Sequence, residues 1–135
     1  MPTTIVLAED NLGHVKLIEK NLGRSSFSGE VIKIEDGQKL VDFVGSLEEV
    51  ASLATVIILD LNMPILNGFQ VLERLKSDHN TRRIPVIVMT TTDDPNELRR
   101  CYDLGANWCI TKPVEYEQFT RTIQEIGEFV SIISL

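Results

Sequence analysis

Five residues of this 135-residue chain have types and positions that could do chemistry together: Glu9, Asp10, Asp60, Thr90 and Lys112. Each follows a short apolar, β-rich run, so three carboxylates, a hydroxyl and an ammonium would come from four separate segments. Taken singly, each has an ordinary structural role. Asp10-Asn11 can cap a helix, Asp60 can form a turn, Thr90 suits a strand, and Lys112 can be a solvated lysine before Pro113. Their conjunction argues for more. An apolar run that delivers a carboxylate opposite an acidic pair is a costly arrangement unless a cation neutralises it. Hard oxygen ligands in small number suit Mg²⁺, which keeps several waters and shares its shell with a phosphate.

The spacing between these residues predicts the elements that hold them. Thr4 to Ala8 is a β-rich run ended by Glu9-Asp10, and Leu12, Val15, Ile18 and Leu22 follow at helical spacing before Gly23. Glu30 to Ile34 reads as a second strand, and Asp36-Gly37 opens a helix carrying Leu40, Val41 and Val44. Ser46 and Glu49 have capping-box spacing, which predicts a short extra helical turn before Ala54. Thr55 to Leu59 and 85–89 are continuous apolar runs, as in strands buried on both faces. Asn67-Gly68 opens a helix with Phe69, Leu72 and Leu75 inward. Asp94-Pro95 opens another, with Glu97 completing an acidic capping box and Leu98, Cys101 and Tyr102 as its inner stripe. Trp108 to Thr111 is a last strand, and the final helix carries Phe119, Ile123 and Ile126. Five βα units in alternation call for a parallel α/β sheet with right-handed crossovers and helices on both faces. In such sheets ligands bind at the carboxyl ends of the strands, where the five residues fall.

Glu9-Asp10, Asp60 with Met63-Pro64 and Gly68 after it, Thr90, and Lys112-Pro113, in this order, resemble the receiver domain of two-component response regulators. The resemblance covers essentially the whole chain. It implies a flavodoxin-like (βα)5 doubly wound sheet with strand order 2-1-3-4-5, one receiver domain over 1–135, and no output domain. It also implies roles. Asp60 is the phosphoacceptor, Asp10 ligates Mg²⁺ directly, Glu9 does so directly or through water, and Asn62 offers its backbone carbonyl. Lys112 pairs with the phosphoryl group and Thr90 hydrogen-bonds to it, while Asn62 and Thr92 tune water access. The implied protein is a phosphoacceptor and not an enzyme. Its donor is a sensor histidine kinase, and its output is a protein contact or onward phosphotransfer. Glu9-Asp10-Asn11 with His14, the stretch Cys101 to Asn107, and Ile110 to Val114 resemble single-domain regulators that partner phytochrome kinases. One position departs from the family. Many receivers carry a switch aromatic three residues before the lysine; here that residue is Cys109, and the aromatic is Trp108. Neighbouring strand residues point to opposite faces, so Trp108 cannot stand in without a register change.

Composition narrows the alternatives. There are 13 basic and 20 acidic residues, a formal charge of -7, which disfavours nucleic-acid and anionic-membrane partners. No apolar run approaches the roughly 20 residues of a membrane span, and residues 1–10 do not read as a signal peptide. Two cysteines suit a reducing, cytoplasmic setting. A haloacid-dehalogenase-type phosphatase wants a second Asp two residues after the first and Thr or Val two further on; here those positions are Asn62 and Pro64. A flavin carrier needs a hydroxyl- and glycine-rich phosphate loop where Glu9-Asp10-Asn11 stands. A receiver-like scaffold that takes no phosphate is disfavoured by the intact Asp10, Asp60 and Lys112. His14 and His79 read as surface residues, Cys101 as core, and Arg82-Arg83 and Arg99-Arg100 as solvated. Phe119, Ile123, Ile126, Val130 and Ile133 keep a heptad-like spacing into an apolar tail, 129–135. That predicts a homodimer through the last helix and tail, as an extended helix or an exchanged strand.

Overall fold

The computed structural model describes residues 3–133. Its strands are β1 (Thr4–Ala8), β2 (Glu30–Ile34), β3 (Thr55–Leu59), β4 (Val86–Thr90) and β5 (Trp108–Thr111). Its helices are α1 (Leu12–Gly23), α2 (Gly37–Gly45), α3 (Glu49–Leu53), α4 (Gly68–Ser77), α5 (Pro95–Asp103) and α6 (Tyr116–Ile133). All pairings are parallel, in the order β2-β1-β3-β4-β5. The flavodoxin-like expectation therefore holds, with β3 at the centre.

Side-chain alternation divides the core into two layers. Val6, Ala8, Ile57, Leu59, Val86 and Val88 face α2, α4 and α5. Ile5, Leu7, Val56, Ile58, Ile87 and Met89 face α1 and α6. Every residue of β3 and β4 is buried, which explains their unbroken apolar runs. Register aligns the strand ends: Ala8 pairs with Leu59, and Thr90 with Thr111. The residues that follow these positions share one rim.

Several local expectations are corrected. The extra helix α3 exists, but Ser46 does not open it. Ser46 closes α2, and its hydroxyl donates to the Phe43 carbonyl. The Asp94-Glu97 capping box does not close either: Asp94 accepts from the Asn96 N–H, and Glu97 accepts the Thr92 hydroxyl proton instead. The reciprocal box is Asn67 with Gln70 at α4. Tyr102 is exposed, and its hydroxyl accepts the Cys109 N–H on the free edge of the sheet. The heptad-like stripe of α6 is taken up by this chain's own core as far as Val130, and only Ile133 of it stays exposed. Phe119, Ile123, Ile126 and Val130 are buried against this chain's own sheet and α1. The segment is helical to Ile133, which removes the exchanged-strand form over those residues; positions 134–135 lie outside the described residues.

Candidate functional site

At the carboxyl end of β1, Glu9 is buried and Asp10 is exposed. Asn11 caps α1 through its side chain, so the capping role belongs to Asn11 rather than Asp10. The Asn11 N–H donates to Glu9 Oε2 at 3.2 Å, orienting that carboxylate. Asp60 emerges from β3 almost fully covered, at 6% exposure, and its Oδ1 accepts the Asn62 N–H at 3.2 Å. Glu9, Asp10 and Asp60 can each offer a carboxylate oxygen within 4.8 Å of the others.

Lys112 reaches this cluster from the end of β5 and is also buried. Its backbone N–H donates to the Thr90 carbonyl at 2.6 Å, continuing the β4–β5 ladder to the rim. Its ammonium donates to Glu9 Oε1 and, at 3.4 Å, to Asp60 Oδ2. One ammonium thus contacts two of the three carboxylates, and the cluster stays negative. Burial pushes the Asp60 carboxyl up to about 6. A hydrogen bond with Glu9 and the Glu9 charge add to that rise, while Lys112 and the Asn62 N–H oppose it. A crowded set of hard oxygen donors, two buried and one open to solvent, fits a divalent cation such as Mg²⁺, which would relieve the repulsion that raises Asp60.

Thr90 is 1% exposed, and its hydroxyl accepts the Thr92 N–H at 3.3 Å. Thr111 donates to the Thr92 carbonyl at 2.8 Å, tying the loop after β4 to the end of β5. A cavity of about 260 Å³ lies between the loops after β3 and β4, lined by Asn62, Phe69, Thr90 and Thr92 among others. Asn62 is exposed and Thr92 half-buried, and both line this cavity beside the end of β3.

A protein-family model described as response regulator receiver domain matches residues 5–124. This chain belongs to that family. Among curated relatives, the probable methanogenesis regulatory protein FilR2 of Methanothrix harundinacea is 36% identical, covering 95% of this chain and 83% of the relative. A receiver domain structure from Rhodospirillum rubrum is 43% identical with TM-score 0.89, covering 96% of this chain and 94% of that one. The phosphorylated cyanobacterial phytochrome response regulator RcpA is 32% identical with TM-score 0.88, covering 100% and 98%. The Mn²⁺-bound response regulator Rcp1 is 30% identical with TM-score 0.83, covering 93% and 91%.

In this receiver, Cys109 and Trp108 face opposite layers, as strand alternation requires. Cys109 packs beside Cys101, and burial together with that neighbour pushes its thiol up to about 12. Trp108 meets the Phe129 ring edge-on at 5.4 Å, on the far side of the sheet from Cys109. The residue that sequence reasoning missed is His14. It is no free surface residue, for its Nδ1 lies 3.1 Å from Lys112 Nζ. Helical periodicity puts His14 beside the buried Val15 but does not point its ring at a lysine 98 positions away. His79, by contrast, is exposed as expected.

Proposed function

We propose that this receiver accepts a phosphoryl group on Asp60 from the phosphohistidine of a sensor histidine kinase. The observation that carries the reading is the buried Asp60 carboxylate, set within 4.8 Å of two further carboxylates and 3.4 Å from the Lys112 ammonium. In the transfer, an Asp60 oxygen attacks phosphorus and a P–O bond forms. The P–N bond breaks, and the imidazole leaves with the electron pair and takes a proton. Little covalent help is needed beyond the nucleophile, so positioning and charge neutralisation dominate.

Glu9, Asp10, Asp60 and the Asn62 carbonyl would hold Mg²⁺. Bound there, it would offset the repulsion between anionic nucleophile and anionic donor. Lys112 supplies a second positive charge to the transferred group. The product adds roughly 1.5 to 2 negative charges at the rim, by analogy with other phosphorylated side chains. Thr90 then donates to a phosphoryl oxygen, and its loop follows. The face of α5, β5 and α6 reads out that change through a protein contact or onward phosphotransfer. Asn62 and Thr92 set the access of water, and hence the lifetime of the acyl phosphate.

Likeness to RcpA over the whole chain supports a phytochrome kinase as donor, and two free cysteines suit a cytoplasmic setting. The exposed Phe129, Ile132 and Ile133 support a homodimer. The test is intact-mass analysis with Mg²⁺ and acetyl phosphate. The wild-type chain gains one phosphoryl mass and Asp60→Asn does not. Equal labelling of the variant would overturn the assignment.

A further inference from the structure

We propose that His14 is a positioning residue for Lys112, holding its ammonium by one N–H so that the others stay directed at the acceptor. The inference rests on the phosphoacceptor reading of Asp60. It adds a residue that neither binds the metal nor touches the phosphoryl group.

Two contacts set where the His14 ring lies. Its backbone N–H donates to the Asn11 cap at 3.1 Å, which sets the first turn of α1. Its ring lies 5.5 Å from that of the buried Phe119, tilted by 39°. Nδ1 then sits 3.1 Å from Lys112 Nζ. An ammonium has only donors, so Nδ1 is the acceptor and the ring proton sits on Nε2. Partial burial and the Lys112 charge lower the His14 pKa, in keeping with a neutral ring, although Asp60 opposes this.

The three N–H groups of Lys112 have three acceptors: Glu9 Oε1, Asp60 Oδ2 and His14 Nδ1. The first two have other duties in the proposed chemistry. Glu9 is committed to the cation, and Asp60 becomes the acyl phosphate. His14 can hold Lys112 before and after transfer while taking on neither of those duties. It is also the one uncharged acceptor. It fixes the direction of the ammonium without cancelling the positive charge that the incoming group needs. A carboxylate here would hold the lysine and neutralise it. An apolar residue would leave a buried N–H without a partner, which loosens the group.

The experiment compares His14→Phe, His14→Gln and wild type. Phenylalanine keeps the packing on Phe119 and removes the acceptor; glutamine restores a neutral one. Phosphorylation by acetyl phosphate is followed at saturating Mg²⁺, Mg²⁺ affinity by calorimetry, and the Lys112 ammonium by its ¹⁵N resonance. His14→Phe is expected to slow phosphorylation by about tenfold, the usual worth of a hydrogen bond to a charged group. Mg²⁺ affinity stays within about twofold, because no metal ligand is removed. The Lys112 signal, sharp in wild type and His14→Gln, is lost to solvent exchange in His14→Phe. His14→Gln recovers most of the rate. Wild-type rate with an intact Lys112 signal in His14→Phe overturns the proposal, as does a glutamine variant no faster than the phenylalanine one. If wild type takes no phosphoryl group, the reading of Asp60 fails instead. The Lys112 resonance then decides alone: its loss in His14→Phe upholds the contact, and its persistence refutes it.

Discussion

Burial works against the resting charge of Asp60. Its carboxyl rises from 3.8 to about 6, through desolvation first and the Glu9 neighbour second. Between those values the folded state binds more protons than the unfolded one, so the contribution of this group to stability falls as pH rises from about 4 to 6. Above that window the metal-free fold carries the full cost. Asp60→Asn removes it. Without metal, the variant should match wild type near pH 4 and exceed it near pH 7, in urea unfolding at both values. A difference that does not change with pH would place the strain elsewhere. The charged and hydroxyl partners of the site should separate in kinetics. Lys112→Ala should slow phosphorylation by on the order of a hundredfold, the scale for losing a donor at developing charge. Thr90→Ala should still take phosphate but lose the response. Amide shifts on α5 in the phosphorylated variant, as large as in wild type, would contradict that division of labour.

At the scale of elements, the loop after β3 decides how Asp60 is presented. The Gly68 N–H donates to the Leu61 carbonyl at 2.8 Å, folding the start of α4 back on the acceptor strand. A Cβ at Gly68 would stand 2.6 Å from the Leu61 Cα, so any side chain pushes on backbone. Gly68→Ala should cost about 1–3 kcal/mol, the range for overpacking, and weaken Mg²⁺ binding by displacing Asp60. Unchanged affinity, by titration, would mean that the loop absorbs the shift locally. The strands were largely legible in the sequence, since the run from Val56 to Leu59 is unbroken only because both faces are covered. The rim residues were legible for the same reason, as each ends a run. Capping was less so. Ser46, Asp94 and Glu97 have box-like spacing, but the Ser46 hydroxyl turns back to Phe43 and Glu97 takes the proton of Thr92. A cap depends on which local acceptor wins, and residue type alone does not order them. The His14–Lys112 contact was illegible because it joins α1 to the end of β5 across 98 positions. Only the packed fold brings them together.

For the whole molecule, the last helix divides into a stripe sealed in the core and an end that stays partly exposed. Ile123, Ile126 and Val130 are fully buried against the sheet and α1. Heptad-like spacing there reflects an amphipathic helix on its own core, and the same spacing serves a coiled-coil seam. Periodicity could not distinguish the two. Phe129, Ile132 and Ile133 remain exposed at 43%, 67% and 43%. Two of these are β-branched apolar residues on the last described turn of α6. A second copy offers an identical patch, and a two-fold contact needs only one self-complementary surface. Three side chains bury far less than the roughly 800 Å² per partner of a standard interface, so the dimer should be weak. Because Val130 is core, cutting the helix back would unfold the end under test, and point changes are the sharper probe. Ile132→Glu with Ile133→Glu should leave thermal stability nearly unchanged, since neither residue is buried. The doubly changed protein should run as a monomer in sedimentation velocity at concentrations of tens of micromolar and above, where wild type shifts toward dimer. The patch also bears on signalling. Phe129 contacts Trp108, the first residue of β5, and that strand ends at Thr111 and Lys112. Phosphorylation at the rim and association at the helix end would therefore act on the same strand from opposite ends. If so, acetyl phosphate and Mg²⁺ should move the monomer–dimer midpoint of wild type and leave Asp60→Asn where it was. A wild-type chain that stays monomeric at hundreds of micromolar, with and without phosphate, would refute the dimer.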